Sequence, residues 1–128
     1  MRSLNDFDGA FAAAVREGAQ GLVTAPQPVI NTHRAKILEF VLKNRLPAIF
    51  TNPETVEAGG LMSYSPDYTE QFRRVAIYVD KILKGSKPAD LPVEQPKKFE
   101  FIINLKTAKQ IGLTIPPNVL ARANKVIK

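Results

Sequence analysis

Hydrogen-bonding and aromatic side chains gather at three junctions of this sequence: TAPQPVINT at 24–32, TNPET at 51–55 and SYSPDY at 63–68. Gln27, Asn31, Thr51, Asn52, Ser63, Tyr64, Ser65 and Asp67 can donate or accept hydrogen bonds there, and the rings of Tyr64 and Tyr68 can stack on an apolar solute. Such groups hold a small molecule rather than transform it. Groups that transform are sparse. The single histidine, His33, stands in NTHRAK near a helix start, with no cysteine and no serine elbow, which is the setting of a solvated or capping residue. Glu57 and Asp67 could pair as carboxylates, but the flexible junction between them fixes no distance. EAGG and GAQG lack the glycine spacing of a nucleotide-binding loop. With one histidine and no cysteine a metal would need clustered carboxylates, and the sequence has no such run. The expectation is therefore no enzyme, no catalytic residue, no metal and no cofactor.

The elements that must position the three junctions follow from apolar spacing. At 128 residues the chain suits one domain with a real core, and its 45% hydrophobic and 23% charged content is that of a globular protein. Leu4, Phe7, Phe11 and Val15 recur at helical spacing, with Ser3 and Asn5 as candidate caps and Gly18 as a stop. AQGLVTAP then reads as a short buried strand ending at Pro26. A second helix is expected from an Asn31 or Thr32 cap, with Ile37, Leu38, Val41 and Leu42 on one face, followed by a strand over 46–51 that stops at Asn52-Pro53. GLMSY could be a brief edge or crossover strand. TEQFRRVAIYVDKILKG carries the stripe Phe72, Val75, Ala76, Val79, Ile82 and Leu83 and closes at Gly85. Pro88, Pro92 and Pro96 make the next stretch an extended connector, KFEFIINL a strand, KTAKQIG a short helical turn and IPPNVLARANKVIK a terminal helix. Helices alternating with strands that are apolar throughout argue for an α/β fold, a partial Rossmann-like parallel sheet with flanking helices. In such sheets ligands lie beyond the carboxyl ends of the strands, where the three junctions fall.

The net charge of +6 raises the question of nucleic acid. Residues 1–60 hold six basic and six acidic residues and 61–128 hold twelve and six, so the excess lies in the second half. There it is diluted by Glu70 and Asp80 and lacks the alternation of basic and aromatic residues that single-strand binders use. A solvated face is the better reading, and no nucleic-acid partner is expected.

Three runs carry a resemblance: AGGLMSYSPDY, YVDKILKGSKPADLPVEQPKKFEFIINLKTAKQIGLTIP, and the earlier GAQGLVTAPQPVINTHRAKILEFVLKNRLPAIF. Together they resemble the second lobe and C-terminal part of the bacterial ABC-transporter substrate-binding proteins that include tryptophan-type binders. The resemblance implies a type I periplasmic-binding-protein fold, two α/β lobes joined by crossover strands and closing on a small solute that is passed to a membrane permease. It divides the chain into second-lobe elements (1–60), a crossover and long helix (61–85), a proline-rich connector (86–96) and a strand with terminal helices (97–128). It makes GGLMSYSPDY a crossover and cleft segment, its glycines permitting hinge rotation and Tyr64 facing the ligand. The expected ligand residues are Pro26, Gln27 and Asn31, then Thr51 and Asn52, then Tyr64, Ser65 and Asp67, for a solute that could be an amino acid, a peptide-like or a purine-like molecule.

The family is periplasmic or membrane-tethered outside the cytoplasm, and its members begin with an export signal and a complete first lobe. Here Met1-Arg2-Ser3 leads at once into LNDFD, with no basic stretch before an apolar one, so the chain as written is expected to stay cytoplasmic. Met1 would correspond to a point inside the second lobe. Missing its opposite wall, such a chain is expected to cover its apolar surface by pairing as a homodimer or a domain-swapped oligomer. The alternative is a truncated product that binds no solute and acts at most as a self-associating α/β module.

Overall fold

The computed structural model describes residues 4–128. Ser3, and the side chains of Leu4 and Asn5, lie outside the described residues. Helix α1 (Leu4–Arg16) is followed by β1 (Leu22–Val23), α2 (Pro28–Thr32), α3 (Arg34–Lys43), β2 (Ala48–Phe50), α4 (Pro53–Glu57), β3 (Met62–Pro66) and α5 (Tyr68–Leu83). A 3₁₀ turn at Pro88–Asp90 interrupts the connector, and β4 (Phe99–Asn104), α6 (Leu105–Gln110), α7 (Pro117–Leu120) and β5 (Lys125–Ile127) complete the chain. The five strands form one sheet in sequence order. It is an α/β sheet flanked by helices, but a mixed one: β1, β2 and β3 run parallel, β4 runs antiparallel to β3, and β5 runs parallel to β4.

Apolar spacing accounts for two core clusters. Phe7 of α1 and Ile37, Leu38 and Val41 of α3 close over Ala48 and Phe50 of β2. Leu61 and Ile103 pack with Ala108, Ile111 and Ile115, where α6 and the chain after it return to the sheet. Of the α1 face read from sequence, Phe7 is buried and Phe11 half-buried, stacked on Phe40 at 4.0 Å, whereas Val15 is exposed.

Five sequence expectations are corrected. The run AQGLVTAP holds no buried strand: β1 is two residues long, with Leu22 half-buried and Val23 79% exposed. The second helix is two helices broken at His33, so neither Asn31 nor Thr32 starts it; the Thr32 hydroxyl instead donates back to the Pro28 carbonyl. The run GLMSY is no edge strand: β3 is the middle of five, hydrogen-bonded on both sides. The terminal helix lasts four residues and then becomes β5. Its physical reason is the bare edge of β4, where the Asn124 amide N–H donates to the Phe101 carbonyl and the Asn124 side-chain oxygen accepts the Phe101 N–H. This leaves the β-branched Val126 and Ile127 extended beside Ile103 and Asn104. Finally, Asn52-Pro53 ends β2 but also opens α4, with Pro53 in the first turn, where its missing N–H costs nothing.

The long helix is placed as expected and covered as not expected. Gly85, at φ 102, allows the Ser86 N–H to reach back to Lys81, which ends α5. Yet none of its sixteen residues is buried. The segment 67–98 leaves the sheet after Pro66 and returns at Phe99, its two ends joined by the Asp67 N–H donating to the Lys98 carbonyl.

Candidate functional site

Because β1, β2 and β3 are parallel, their carboxyl ends lie at one end of the sheet, and the antiparallel β4 begins there too. The first two exits are built alike. An extended residue, Gln27 (φ −131°, ψ 140°) or Asn52 (φ −141°, ψ 142°), precedes a proline that opens a five-residue helix. Proline forces its predecessor out of the helical region, so both residues stand upright at the sheet end. Thr24, buried, anchors the first exit by donating its N–H to the Ile49 carbonyl across the β1–β2 pair.

Asn52 occupies a helix-capping position but makes no cap bond. Its amide is turned sideways: Nδ2 donates to Oδ1 of Asn31 at 2.8 Å, and its Oδ1 accepts the Thr55 hydroxyl. The two exits are thereby joined across 21 residues of sequence by one amide pair. Thr51 stands half-buried before Asn52, and Pro26 and Gln27 are exposed before Asn31.

The third exit divides its residues between two faces. Along β3 the side chains alternate, so Tyr64 faces one way and Ser63 and Ser65 the other. Tyr64 is 54% exposed and lies flat on Phe99, ring centroids 5.3 Å apart and planes within 8°, with Phe101 edge-on at 6.4 Å. Ser63 and Ser65 are buried, and neither hydroxyl has a hydrogen-bond partner. Asp67 caps α5: its carboxylate accepts the Glu70 N–H at 3.1 Å and pairs with Lys98 at 3.1 Å. The backbone hydrogen bond from Glu70, then the Lys98 ammonium, hold the Asp67 carboxyl below its ordinary value of 3.8.

The structure thus brings Asn31 and Asn52 into contact beside Thr51, sets Tyr64 on an aromatic pair, turns Ser65 inward and occupies Asp67 as a cap. Two contributors escaped the sequence reading. Thr55 was visible as the hydroxyl three residues after Asn52, a spacing at which a side chain folds back onto its helix start. Phe99 was visible in the F-E-F alternation that puts it on the same face as Phe101. His33 lies at the α2–α3 break with its ring edge-on to Phe7 at 5.6 Å. Among the described residues no group of three or more His, Cys, Asp or Glu side chains could hold a metal ion, and no helix is long and apolar enough to cross a membrane.

The cap carries a pH dependence. A carboxyl whose folded pKa is depressed adds stability above its unfolded value and loses it as pH falls through the folded one. Glu94, held below its ordinary 4.5 chiefly by the Arg74 hydrogen bond, behaves the same way and ties the connector to α5. Helical signal from α5 is therefore expected to be complete near neutrality and to fall as the pH drops below 3.8. Asp67→Asn, which keeps a capping oxygen but does not titrate, should retain more helix in acid by far-ultraviolet circular dichroism. Identical acid profiles for the two proteins would rule out the cap as the source.

A family model described as "ABC transporter substrate binding protein" matches residues 1–127. No curated protein sequence matches the chain. Among solved structures it is similar to the ABC domain of a Streptococcus pneumoniae protein in complex with L-Trp, with 26% identity and a TM-score of 0.86 over 99% of this chain and 43% of that one. It is similar to a conserved domain protein of Vibrio cholerae, with 28% identity and a TM-score of 0.84 over 95% of this chain and 41% of that one. It also shares its fold with the ligand-free, open structure of CD0873, a Clostridium difficile substrate binding protein with adhesive properties. There the identity is 18% and the TM-score 0.68, over 100% of this chain and 42% of that one. In each case the chain spans about two fifths of the solved relative's length.

Proposed function

Since the chain belongs to the ABC transporter substrate-binding protein family, we propose that it serves as the solute-binding component of a transport system, or as part of one. It holds a small organic solute without covalent chemistry for delivery to a membrane permease, outside the cytoplasm as that role requires. The observation that supports this reading is the Asn31–Asn52 amide pair spanning two strand exits. Amides and hydroxyls fixed in this way can exchange hydrogen bonds with the polar end of a solute. Thr51, Pro26 and Gln27 complete that wall, and Tyr64 on its Phe99 stack offers a flat face to an apolar or aromatic body. Ser65 and Asp67 act from behind, one shaping the strand under Tyr64 and the other fixing the start of α5. The L-Trp held by the pneumococcal relative makes an amino acid the first solute class to try. On this reading the solute is held and released unchanged, through hydrogen bonds and ring stacking.

One wall of a cleft binds weakly. An affinity near the millimolar range, about −4 kcal/mol, is expected for these 128 residues alone. The chain contains no tryptophan, so the fluorescence anisotropy of added L-tryptophan reports its own binding without background. Saturable binding that Asn52→Ala or Tyr64→Ala weakens about tenfold supports the reading. No rise in anisotropy with L-tryptophan, and no heat on titrating other amino acids, short peptides or purines, would overturn it for this chain.

A second reading is favoured by a different observation, the uncovered α5. On this reading the chain pairs with a second copy of itself, whether or not it holds solute.

A further inference from the structure

Six polar residues are buried among the described residues: Thr24, Thr55, Ser63, Ser65, Asn104 and Thr107. Four of them have partners. Thr24 and Thr107 donate their hydroxyls to the Ile49 and Gly59 carbonyls, Thr55 donates to Asn52, and Asn104 serves both Val56 and Thr107. The two without a partner are Ser63 and Ser65, 0% and 2% exposed, each with its hydroxyl oxygen shielded and unbonded. They are not scattered. Two residues apart on β3, they project from one face of the sheet, opposite to Tyr64. Both hydroxyls are enclosed by the described residues alone, whatever else covers the longer relatives.

A buried hydroxyl without a partner is a standing cost to the fold, and two of them side by side point to one shared remedy. Each can donate and accept, so a small molecule that does both would satisfy the pair. The spacing suits water. Residues two apart on a strand have Cα atoms about 6.6 Å apart. Hydroxyls on that spacing can approach within about 5.6 Å, the span that a water at ordinary hydrogen-bond distance from each can bridge. The register supplies the room: Phe50, Ser63 and Ile102 stand side by side across this face, a small side chain between two large ones. The Phe50 ring leans toward Gly60, where a Cβ would meet its Cε2 at 2.9 Å, and so toward the amino end of β3 and away from Ser65. Helix α4 closes over the face, with Thr55 and Val56 buried. We propose that Ser63 and Ser65 jointly hold one internal water between β3 and α4. Two neutral oxygens supply neither the charge nor the number of ligands that a calcium or magnesium ion requires, so water is the ligand that fits. Tyr64 lies between the two serines in sequence, and the same water therefore steadies the strand that presents its ring. The water site stands whether or not a solute binds above it.

The test is a crystal structure of the 128-residue chain at a resolution that orders internal waters, joined to water-oxygen magnetic relaxation dispersion in solution. One density peak within hydrogen-bond distance of both Ser63 Oγ and Ser65 Oγ is expected. The double variant Ser63→Ala, Ser65→Ala should lack one long-lived water that the unmodified chain shows in the dispersion. Each single alanine variant should lower the urea midpoint, and the double variant should lower it by less than the two losses summed, because the hydroxyls share one ligand. No such peak, or an undiminished dispersion in the double variant, overturns the site. Midpoints unchanged or raised in the single variants overturn it as well, since deleting a hydroxyl that truly has no partner removes a cost rather than a bond. Strictly additive losses, or two separate peaks, overturn the shared water.

Discussion

Replacing Phe7 with alanine is expected to cost about 3–5 kcal/mol of stability, the range for emptying a fully buried aromatic site. The ring is 0% exposed and touches Phe11 at 5.8 Å and His33 at 5.6 Å. It plugs the cluster formed by Ile37, Leu38 and Val41 of α3 over Ala48 and Phe50 of β2. The Phe11–Phe40 stack and an ion pair between Asp8 and Lys36, exposed on the aspartate side, also tie α1 to the body. Such pairs contribute at most about 1 kcal/mol. The first consequence of Phe7→Ala is therefore local release of α1, seen as early amide exchange over that helix, followed by a lowered denaturant midpoint. The effect should reach the site. His33 loses its edge contact, and Asn31, two residues before it, loses the footing from which it meets Asn52. A loss under 1 kcal/mol, or exchange protection over α1 equal to that of the unmodified protein, would show that α1 is anchored elsewhere.

Local chemistry made much of this fold legible, and long-range pairing concealed the rest. The α5 helix could be read because its signals are contiguous: Asp67 as cap, the stripe, then Gly85. What the sequence could not say is that the stripe stays uncovered, since periodicity marks a face that wants burial without naming what buries it. The last strand was illegible for a related reason. Three residues after Asn124 become β5 only because the edge of β4 offers Phe101, 23 positions earlier, as a hydrogen-bonding partner. Position after a strand picked out Asn31 and Asn52 as candidates, but their contact depends on β1 and β2 lying parallel in register, Leu22 beside Ala48. Tyr64 was similarly visible as an aromatic at a junction, whereas its stack on Phe99 required the antiparallel register that sets Pro66 opposite Phe99. Asp67 shows the limit most plainly. A ligand-facing carboxylate and a helix cap are the same residue type at the same spacing, and only the geometry shows it accepting the Glu70 N–H.

Asn104→Ala is expected to cost about 2–4 kcal/mol, because one buried side chain serves two backbone segments. Its Oδ1 accepts the Thr107 N–H and caps α6, and its Nδ2 donates to the Val56 carbonyl at the end of α4, each at 3.1 Å. Losing the cap is worth about 1 kcal/mol. A buried carbonyl left without its donor adds about 1–3 kcal/mol. Thr107, held in place by that cap, in turn donates its hydroxyl to the Gly59 carbonyl. Gly59 sits at φ 113, and at Gly60 a side chain would approach the Phe50 ring and the Thr55 carbonyl to 2.9 Å. Asn104 therefore steadies the glycine turn that launches β3 and sets the height of Tyr64 at the sheet end. Asn104→Asp separates the two roles. The capping oxygen survives, the donor to Val56 is lost, and a carboxylate buried against a carbonyl is forced toward its protonated form. A carboxyl whose pKa is raised on folding contributes stability that is fully present below its unfolded value, about 3.9, and that is lost as pH rises from there through the raised folded value. Asn104→Asp should accordingly unfold at a lower urea concentration than the unmodified chain at neutral pH and close part of that gap on mild acidification. Asn104→Ala should show no such recovery. Parallel pH profiles for the two variants would place Val56 and Asn104 in contact without a hydrogen bond that matters.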